Sequence, residues 1–392
     1  MKRLFRVASF LIKLGIAYVI AFFLKCFNAK YRNIWIISER GDDARDNGYV
    51  FFKYLRENHP QQRIIYVIKS SSADFDKVKA LGEWVEFQSF SHFVFYALSR
   101  VRLSTHTWGG DLPYADYLKH FMKKVNKRRP FVWLKHGIDK DYNPPLMADR
   151  FFPSLLVCGA KPEYDYEVKT YNHQEGVLQY TGFARFDNLL GEHKVKNQIL
   201  VMPTFRKWLN KAPLEKVQQS EYLKAYNQLL GDKRLYGILE QNDLDLIFYP
   251  HYVMQRYIDL FTTKSDRIKI AKFADYDVQQ LLIESKLLVT DFSSVFFDFG
   301  YMDKPTVYYQ FDRDRYIKEH YDFTKGYFSY DRDGFGEVVF DHNDLIDQIE
   351  KYVKANFKLS NEYQKRINAF FPLKDTNNCK RIYDRIIEIT KK

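Results

Sequence analysis

Apolar residues in this chain recur in two alternating rhythms. Short unbroken runs within Asn33–Ser38, Arg63–Ile68 and Leu287–Thr290 are rich in β-branched residues, and the more polar Val101–Ser104 is a further strand candidate. They suit strands that are covered on both faces. Between such runs the apolar positions shift to helical spacing, as at Tyr49–Glu57 and Phe90–Ser99. Further strands are expected at Trp84–Phe87, Phe131–Lys135 and Leu155–Val157. The pattern restarts at Gln198–Met202 and continues through Asp245–Tyr249, Arg267–Ile270 and Thr306–Tyr309. Strand and helix in alternation indicate a parallel, doubly wound α/β sheet.

The restart follows a polar stretch, Gly191–Asn197, which predicts two similar Rossmann-like halves. The expected division is an N-terminal helix over 1–27, a first domain over 28–194 and a second over 195–392. Helices at Asn343–Phe357 and Asn361–Phe370 are expected to close the second domain. For Asn378–Thr390, packing back across the first domain is equally open. There is no short-period repeat and no low-complexity tract.

Four strand ends carry chemistry. Phe131–Lys135 runs into His136-Gly137, and Ile199–Met202 into Pro203-Thr204-Phe205-Arg206. Leu246–Tyr249 runs into Pro250-His251, and Leu287–Thr290 into Asp291, Ser293 and Ser294. In open α/β sheets ligands bind beyond the carboxyl ends of the strands. Either serine can cap a helix beginning near Val295, whose free amides would favour phosphate. A single histidine at a strand end is usually structural. His, Arg, His and a Ser-Ser pair at four strand ends can converge on one site.

Val7–Leu24 is apolar except for Ser9 and Lys13, and it follows Lys2, Arg3 and Arg6. On a helix, Lys2, Arg6, Ser9 and Lys13 fall near one face. The uninterrupted run Leu14–Leu24 is shorter than the roughly 20 residues that span a bilayer. No signal-peptidase-like small-residue site follows. A spanning helix with Lys13 snorkelling is one reading. An interfacial anchor on the cytoplasmic leaflet, with its basic residues against anionic lipid, is the favoured one.

Composition narrows the partners. The 392 residues are 46% hydrophobic and 18% aromatic, which excludes a disordered chain. Sixty-one basic residues against 49 acidic ones give a net charge of +12, which suits an anionic partner. No zinc-finger spacing, RNA-binding aromatic motif or long basic tail points to nucleic acid. A membrane surface or an anionic polymer fits better. The Asp111–Arg129 stretch, with Lys123-Lys124 and Lys127-Arg128-Arg129, reads either as a solvated helix face or as a patch for such a partner. Cys26, Cys158 and Cys379 are too few and too scattered for a disulfide framework or a zinc site. Gly-rich dinucleotide and Walker sequences are absent. The two D-x-D sequences, Asp312–Asp314 and Asp331–Asp333, read as solvated turns, so no metal site is expected.

Together these pieces resemble the CDP-glycerol glycerophosphotransferase family, which builds teichoic acids and related polymers. The resemblance rests on Lys135-His136-Gly137, Gly182–Asp187 (GFARFD), Pro203–Arg206, Pro250-His251 and Asp291–Asp298 (DFSSVFFD), in that order. It covers roughly residues 30–350. The family often has Trp-His-Gly-Thr-Pro where this chain has Lys135–Asp139, and a Trp where Phe205 stands.

The resemblance implies two Rossmann-like domains facing across a cleft, the glycosyltransferase-B arrangement. It also implies phosphoryl transfer from CDP-glycerol to a hydroxyl of a lipid-linked wall or capsular polymer, with release of CMP. His136 then suits the general base, because imidazole exchanges protons near neutral pH. Arg206 suits the phosphate through its planar fork, and His251 the diphosphate or leaving group. Ser293 and Ser294 offer hydroxyls to phosphate oxygens, Thr204 adds another, and Lys135 adds charge beside the base. Asp291 would accept from ribose or orient a serine, with a turn-forming aspartate the equal alternative. Arg185 and Asp187 are expected to pair with each other. The implied reaction needs no cofactor beyond its donor. A CDP-ribitol-dependent or nucleotide-sugar-dependent transferase is the alternative enzyme, and a membrane-bound polymer scaffold the non-enzymatic one.

Overall fold

The computed structural model describes residues 2–106, 112, 129–320 and 325–391. The basic stretch between Asp111 and Arg129 lies, apart from Leu112 and Arg129, outside these residues. The chain divides into two compact units. The first comprises Met1–Ile138, Pro144–Asn188 and Asp375–Lys392; the second comprises Asp139–Asn143 and Leu189–Lys374.

The first unit is built on a wholly parallel sheet. Its strands are β1 (Ile34–Ser38), β2 (Arg63–Ile68), β3 (Trp84–Glu86), β4 (Val101–Ser104), β5 (Phe131–Trp133), β6 (Leu155–Cys158) and β7 (Leu178–Tyr180). Their order is β3-β2-β1-β4-β5-β6-β7. The winding therefore reverses between β1 and β4, where Ile36 pairs with Arg102. Every residue of β1 and β4 is buried, as strands covered by helices on both faces require, and in β4 this includes Arg102 and Ser104.

Helix α1 (Lys2–Phe27) packs on this unit through one side only. Phe10, Leu14, Ala17 and Ala21 are buried against Phe93, Tyr96 and Ala97 of a helix spanning Phe90–Leu98. The two alanines let the helices approach closely, and Phe10 meets Phe93 at 5.7 Å between ring centroids. On the opposite side Leu11, Ile12, Ile16, Val19, Phe22 and Phe23 are all exposed. The segment Arg6–Phe27 is long and apolar enough to cross a membrane, by length and composition.

The second unit repeats the same winding. Its strands are β8 (Gln198–Val201), β9 (Asp245–Phe248), β10 (Ile268–Ile270), β11 (Leu287–Thr290), β12 (Thr306–Tyr309) and β13 (Gly336–Val339). They run parallel in the order β10-β9-β8-β11-β12-β13, so the reversal falls between β8 and β11. Val201 pairs with Val289, and Val289 in turn with Val307. A Cβ on Gly336 would stand 1.6 Å from the Thr306 carbonyl oxygen, which explains a glycine at that point of the outermost strand.

Two differences from expectation concern the ends of the chain's elements. The run Phe131–Lys135 stops as a strand at Trp133, because Lys135 turns into the left-handed region at φ 54°. The segment Asp375–Lys392 belongs to the first unit, whereas the range 195–392 placed it in the second. Cys379, Ile382 and Ile386 of the helix Asn378–Lys391 are buried there. Asp187 caps this helix by accepting from the amides of Asn378 (2.8 Å) and Cys379 (2.9 Å). Gly182, at φ 75°, leaves room for the Asn378 side chain. Asp187 is thus committed to a helix terminus and not to Arg185.

Candidate active site

At the carboxyl edge of the first sheet, the chain leaving β4 is held from three directions. The Thr105 amide donates to Ser38 O at the end of β1 (3.3 Å), and Thr105 O accepts from the Trp133 indole at the end of β5 (3.0 Å). The His106 amide donates to Ser104 Oγ at 3.0 Å. His106 is thereby fixed beside the reversal of the sheet.

His136 follows β5 and is exposed. Its backbone is supported from below. Asn47 Nδ2 donates to Lys135 O (2.8 Å), and Arg185 Nη1 donates to His136 O (3.0 Å). Arg185 in turn pairs with Asp46 at 3.0 Å, in place of the expected pair with Asp187. The rings of His106 and His136 lie nearly parallel, 9° apart, with centroids at 5.7 Å. Burial, the charge that His136 can carry and Arg40 beyond β1 push the His106 imidazolium down to about 4, so this ring is neutral at physiological pH.

Lys135 does not stand beside His136 as a free charge. Its ammonium is buried and meets Glu163 at 2.8 Å and also Glu167. The left-handed backbone at Lys135 accompanies this inward turn, while His136 next to it faces out. Two carboxylates are the partners that a buried ammonium requires.

In the second unit the ends of β8, β11 and β12 meet on Arg206. Its guanidinium forms a fork on Asp312, with Nε–Oδ2 at 2.6 Å and Nη2–Oδ1 at 2.8 Å. Nη1 donates to Asp291 Oδ2 at 2.8 Å and to Thr204 O at 2.7 Å. Tyr222, Phe292, Phe311 and Tyr316 surround it at 5.0–5.6 Å. Arg206 is fully buried, so the fork expected to grip phosphate is occupied by protein carboxylates. Asp312 is correspondingly a buried partner and not part of a solvated turn.

Asp291 is also fully buried, and its other oxygen accepts from the amides of Thr204 (2.8 Å) and Phe292 (2.6 Å). It therefore shapes the turn and does not face a ribose. The Thr204 hydroxyl is buried without a hydrogen-bond partner. Asp331 and Asp333 of the second D-x-D sequence are paired with Arg313 and Arg332.

Around this node lie two serines and two histidines. Ser293 is half-buried and Ser294 exposed, and neither hydroxyl has a hydrogen bond among the described residues. Ser294 occupies the cap position of the helix Val295–Tyr301, but its side chain makes no capping bond, contrary to the capping role expected of the serines. Phe205 stacks on His251 at 4.8 Å and meets His320 edge-on at 4.9 Å. His251 Nδ1 accepts from the Val253 amide (3.3 Å), which places the proton of the neutral ring on Nε2. Burial, Arg206, Lys140, His251 and Lys207 push His320 down to about 3. A cavity of about 860 Å³, lined by Trp208, Tyr309, Phe311 and Arg315 among others, lies in the same unit, and none of the expected site residues lines it.

Three contributors were not anticipated. His106 obeys the strand-end rule, since it comes two residues after the buried run Val101–Ser104. Asp312 was passed over because a D-x-D pattern suggests solvent. His320 follows a helix, and no local pattern marks it.

A model of the family described as CDP-glycerol:poly(glycerophosphate) glycerophosphotransferase matches residues 17–139 and 162–388. The chain belongs to this family. It is 35% identical over 378 residues to the minor teichoic acid biosynthesis protein GgaB of Bacillus subtilis, covering 93% of this chain and 40% of that protein. It is 23% identical over 373 residues to a teichoic acid poly(glycerol phosphate) polymerase of Staphylococcus epidermidis, covering 88% of this chain and 48% of that protein. The chain thus spans less than half the length of these two relatives. Among solved structures, the wall teichoic acid polymerase TagF, in a histidine variant soaked with CDPG, superposes with a TM-score of 0.67 at 18% identity, covering 92% of this chain and 90% of that one. The two share a fold.

Proposed function

We propose that this chain transfers glycerol phosphate from CDP-glycerol to a hydroxyl of a lipid-linked wall or capsular polymer, releasing CMP. The observation that carries this reading is the family match, which spans both the stretch with His136 and the stretch with His251, Ser293 and Ser294. In this reading the acceptor oxygen attacks the phosphorus next to glycerol, and its proton passes to His136. The bond from that phosphorus to CMP breaks, and His251 Nε2–H donates to the diphosphate or to the departing CMP. Ser293 and Ser294 donate to phosphate oxygens. The second unit serves the donor and the first the acceptor, without a further cofactor. Incubation with labelled CDP-glycerol, CDP-ribitol and nucleotide sugars, each with lipid-linked acceptors, tests the assignment. Mass analysis of the products should show added glycerol phosphate units and CMP. Transfer from CDP-ribitol or a nucleotide sugar alone would replace the donor assignment, and no transfer from any donor would favour a scaffold.

The same reading places the chain at the cytoplasmic face of the membrane, with α1 lying in the interface. The one-sided packing of α1 supports an interfacial position, because one side is used on the protein and the other presents Ile12, Phe22 and Phe23 outward. Ile12→Asp with Phe22→Asp should release the protein from anionic vesicles while leaving transfer to a short soluble acceptor. Binding that ignores lipid charge and salt would oppose an interfacial anchor.

A further inference from the structure

We propose that His106 is a positioning residue that supplies a neutral aromatic platform for the imidazolium formed on His136 during transfer, an inference that rests on His136 being the base. Three observations carry it. The rings are parallel within 9° at 5.7 Å, inside the range over which a cation is attracted to an aromatic face. The His106 backbone is tied to β1 and β5 through Thr105 and to Ser104 through its own amide, so the platform does not drift. Thr105 Oγ1 lies 3.0 Å from His106 Nδ1, which fixes the ring edge.

The surroundings keep the platform uncharged. Arg40 beyond β1 and His136 beyond β5 both disfavour a proton on His106, and burial adds to them. Lys135, which could have crowded the pair with charge, is turned away onto Glu163 and Glu167. When His136 accepts the hydroxyl proton, the new positive charge therefore meets a neutral ring and not a second cation. His136 alone touches the reacting proton; His106 acts through it.

The test reads the pair directly. Imidazole NMR titration of the full chain follows His136, identified by loss of its signal in His136→Ala. His106→Ala should lower the His136 pKa by roughly 0.4–1.5 units, the shift equivalent to a cation–π contact of about 0.5–2 kcal/mol. His106→Phe should hold it near the parent value, and His106→Lys should lower it further. Turnover should follow the same order, with His106→Ala reduced about 2- to 30-fold in kcat at unchanged KM. An unchanged or raised His136 pKa in His106→Ala overturns the proposal, as does a His106→Phe variant that behaves like His106→Ala. If the titration shifts as expected but His136→Ala retains full turnover, the pairing stands and the base assignment falls.

Discussion

The two units wind their sheets alike, yet they fill the reversal point in opposite ways. In the first, the ends of β1, β4 and β5 support two imidazoles from beneath and leave His136 facing solvent. In the second, the ends of β8, β11 and β12 close on themselves, with Arg206, Asp291 and Asp312 forming a buried network that uses most of its hydrogen-bonding capacity internally. There Ser293 is half-buried and Ser294 exposed, while His251 and His320 flank Phe205. The same topology thus yields an exposed titratable edge in one unit and a rigid, charge-compensated base in the other. A polar residue at a strand end identifies the functional edge of the sheet. Whether that residue meets a ligand depends on how many of its donors the protein already occupies.

The largest expected effect is on the open edge. His136→Ala should reduce turnover about 10²- to 10⁴-fold, as loss of a general base does, while the Tm stays close to that of the parent. Parallel assays of transfer and thermal unfolding check this; near-normal turnover would remove His136 from the reaction. The closed node should respond the other way. Arg206→Ala leaves Asp291 and Asp312 buried without their cation and should cost about 3–5 kcal/mol of stability. Denaturant unfolding measures it, and a variant with parental stability but lost donor affinity would make Arg206 a phosphate ligand after all.

Smaller effects sharpen the contrast. Ser293→Ala and Ser294→Ala should each raise KM for CDP-glycerol about 10-fold, the loss expected for one hydrogen bond to a charged oxygen, with stability unchanged. Equal KM in both variants and the parent would move the donor phosphates elsewhere. The acid response should be smallest near neutrality. The folded state holds His320 and His106 neutral down to about 3 and about 4, while an unfolded histidine takes its proton near 6.5. Their contribution is complete above 6.5 and is lost as the pH falls toward those values. His320→Phe should therefore show a shallower loss of unfolding free energy between pH 6.5 and 4 than the parent; an equally steep loss would mean that His320 is not buried as a neutral ring.

Much of the architecture was legible because the inner strands are uninterrupted. Ile34–Ser38, Leu246–Phe248 and Leu287–Thr290 announce themselves by β-branched and aromatic runs. Leu178–Tyr180 and Gly336–Val339 did not, since one is three residues long with a central Gln and the other opens on Gly-Glu. The strand ends were legible too, and His136, His251, Ser293 and Ser294 do stand just beyond them. What local sequence does not carry is the direction of a charged side chain. Lys135 turns inward to meet Glu163, 28 residues on, and Arg206 to meet Asp312, 106 residues on. Those partners are set by tertiary packing.

The returning C-terminal helix has a consequence for biosynthesis. Because Asn378–Lys391 completes the first unit while residues 189–374 form most of the second, the second unit is in effect inserted into the first. Translation delivers the inserted unit whole before the outer one has its last helix. Until then Asp187 lacks the amides it caps, and the surface that receives Ile382 and Ile386 stays wet. The outer unit, with its first helix made early and its closing helix made after the whole of the second unit, therefore stays incomplete until synthesis has passed residue 391.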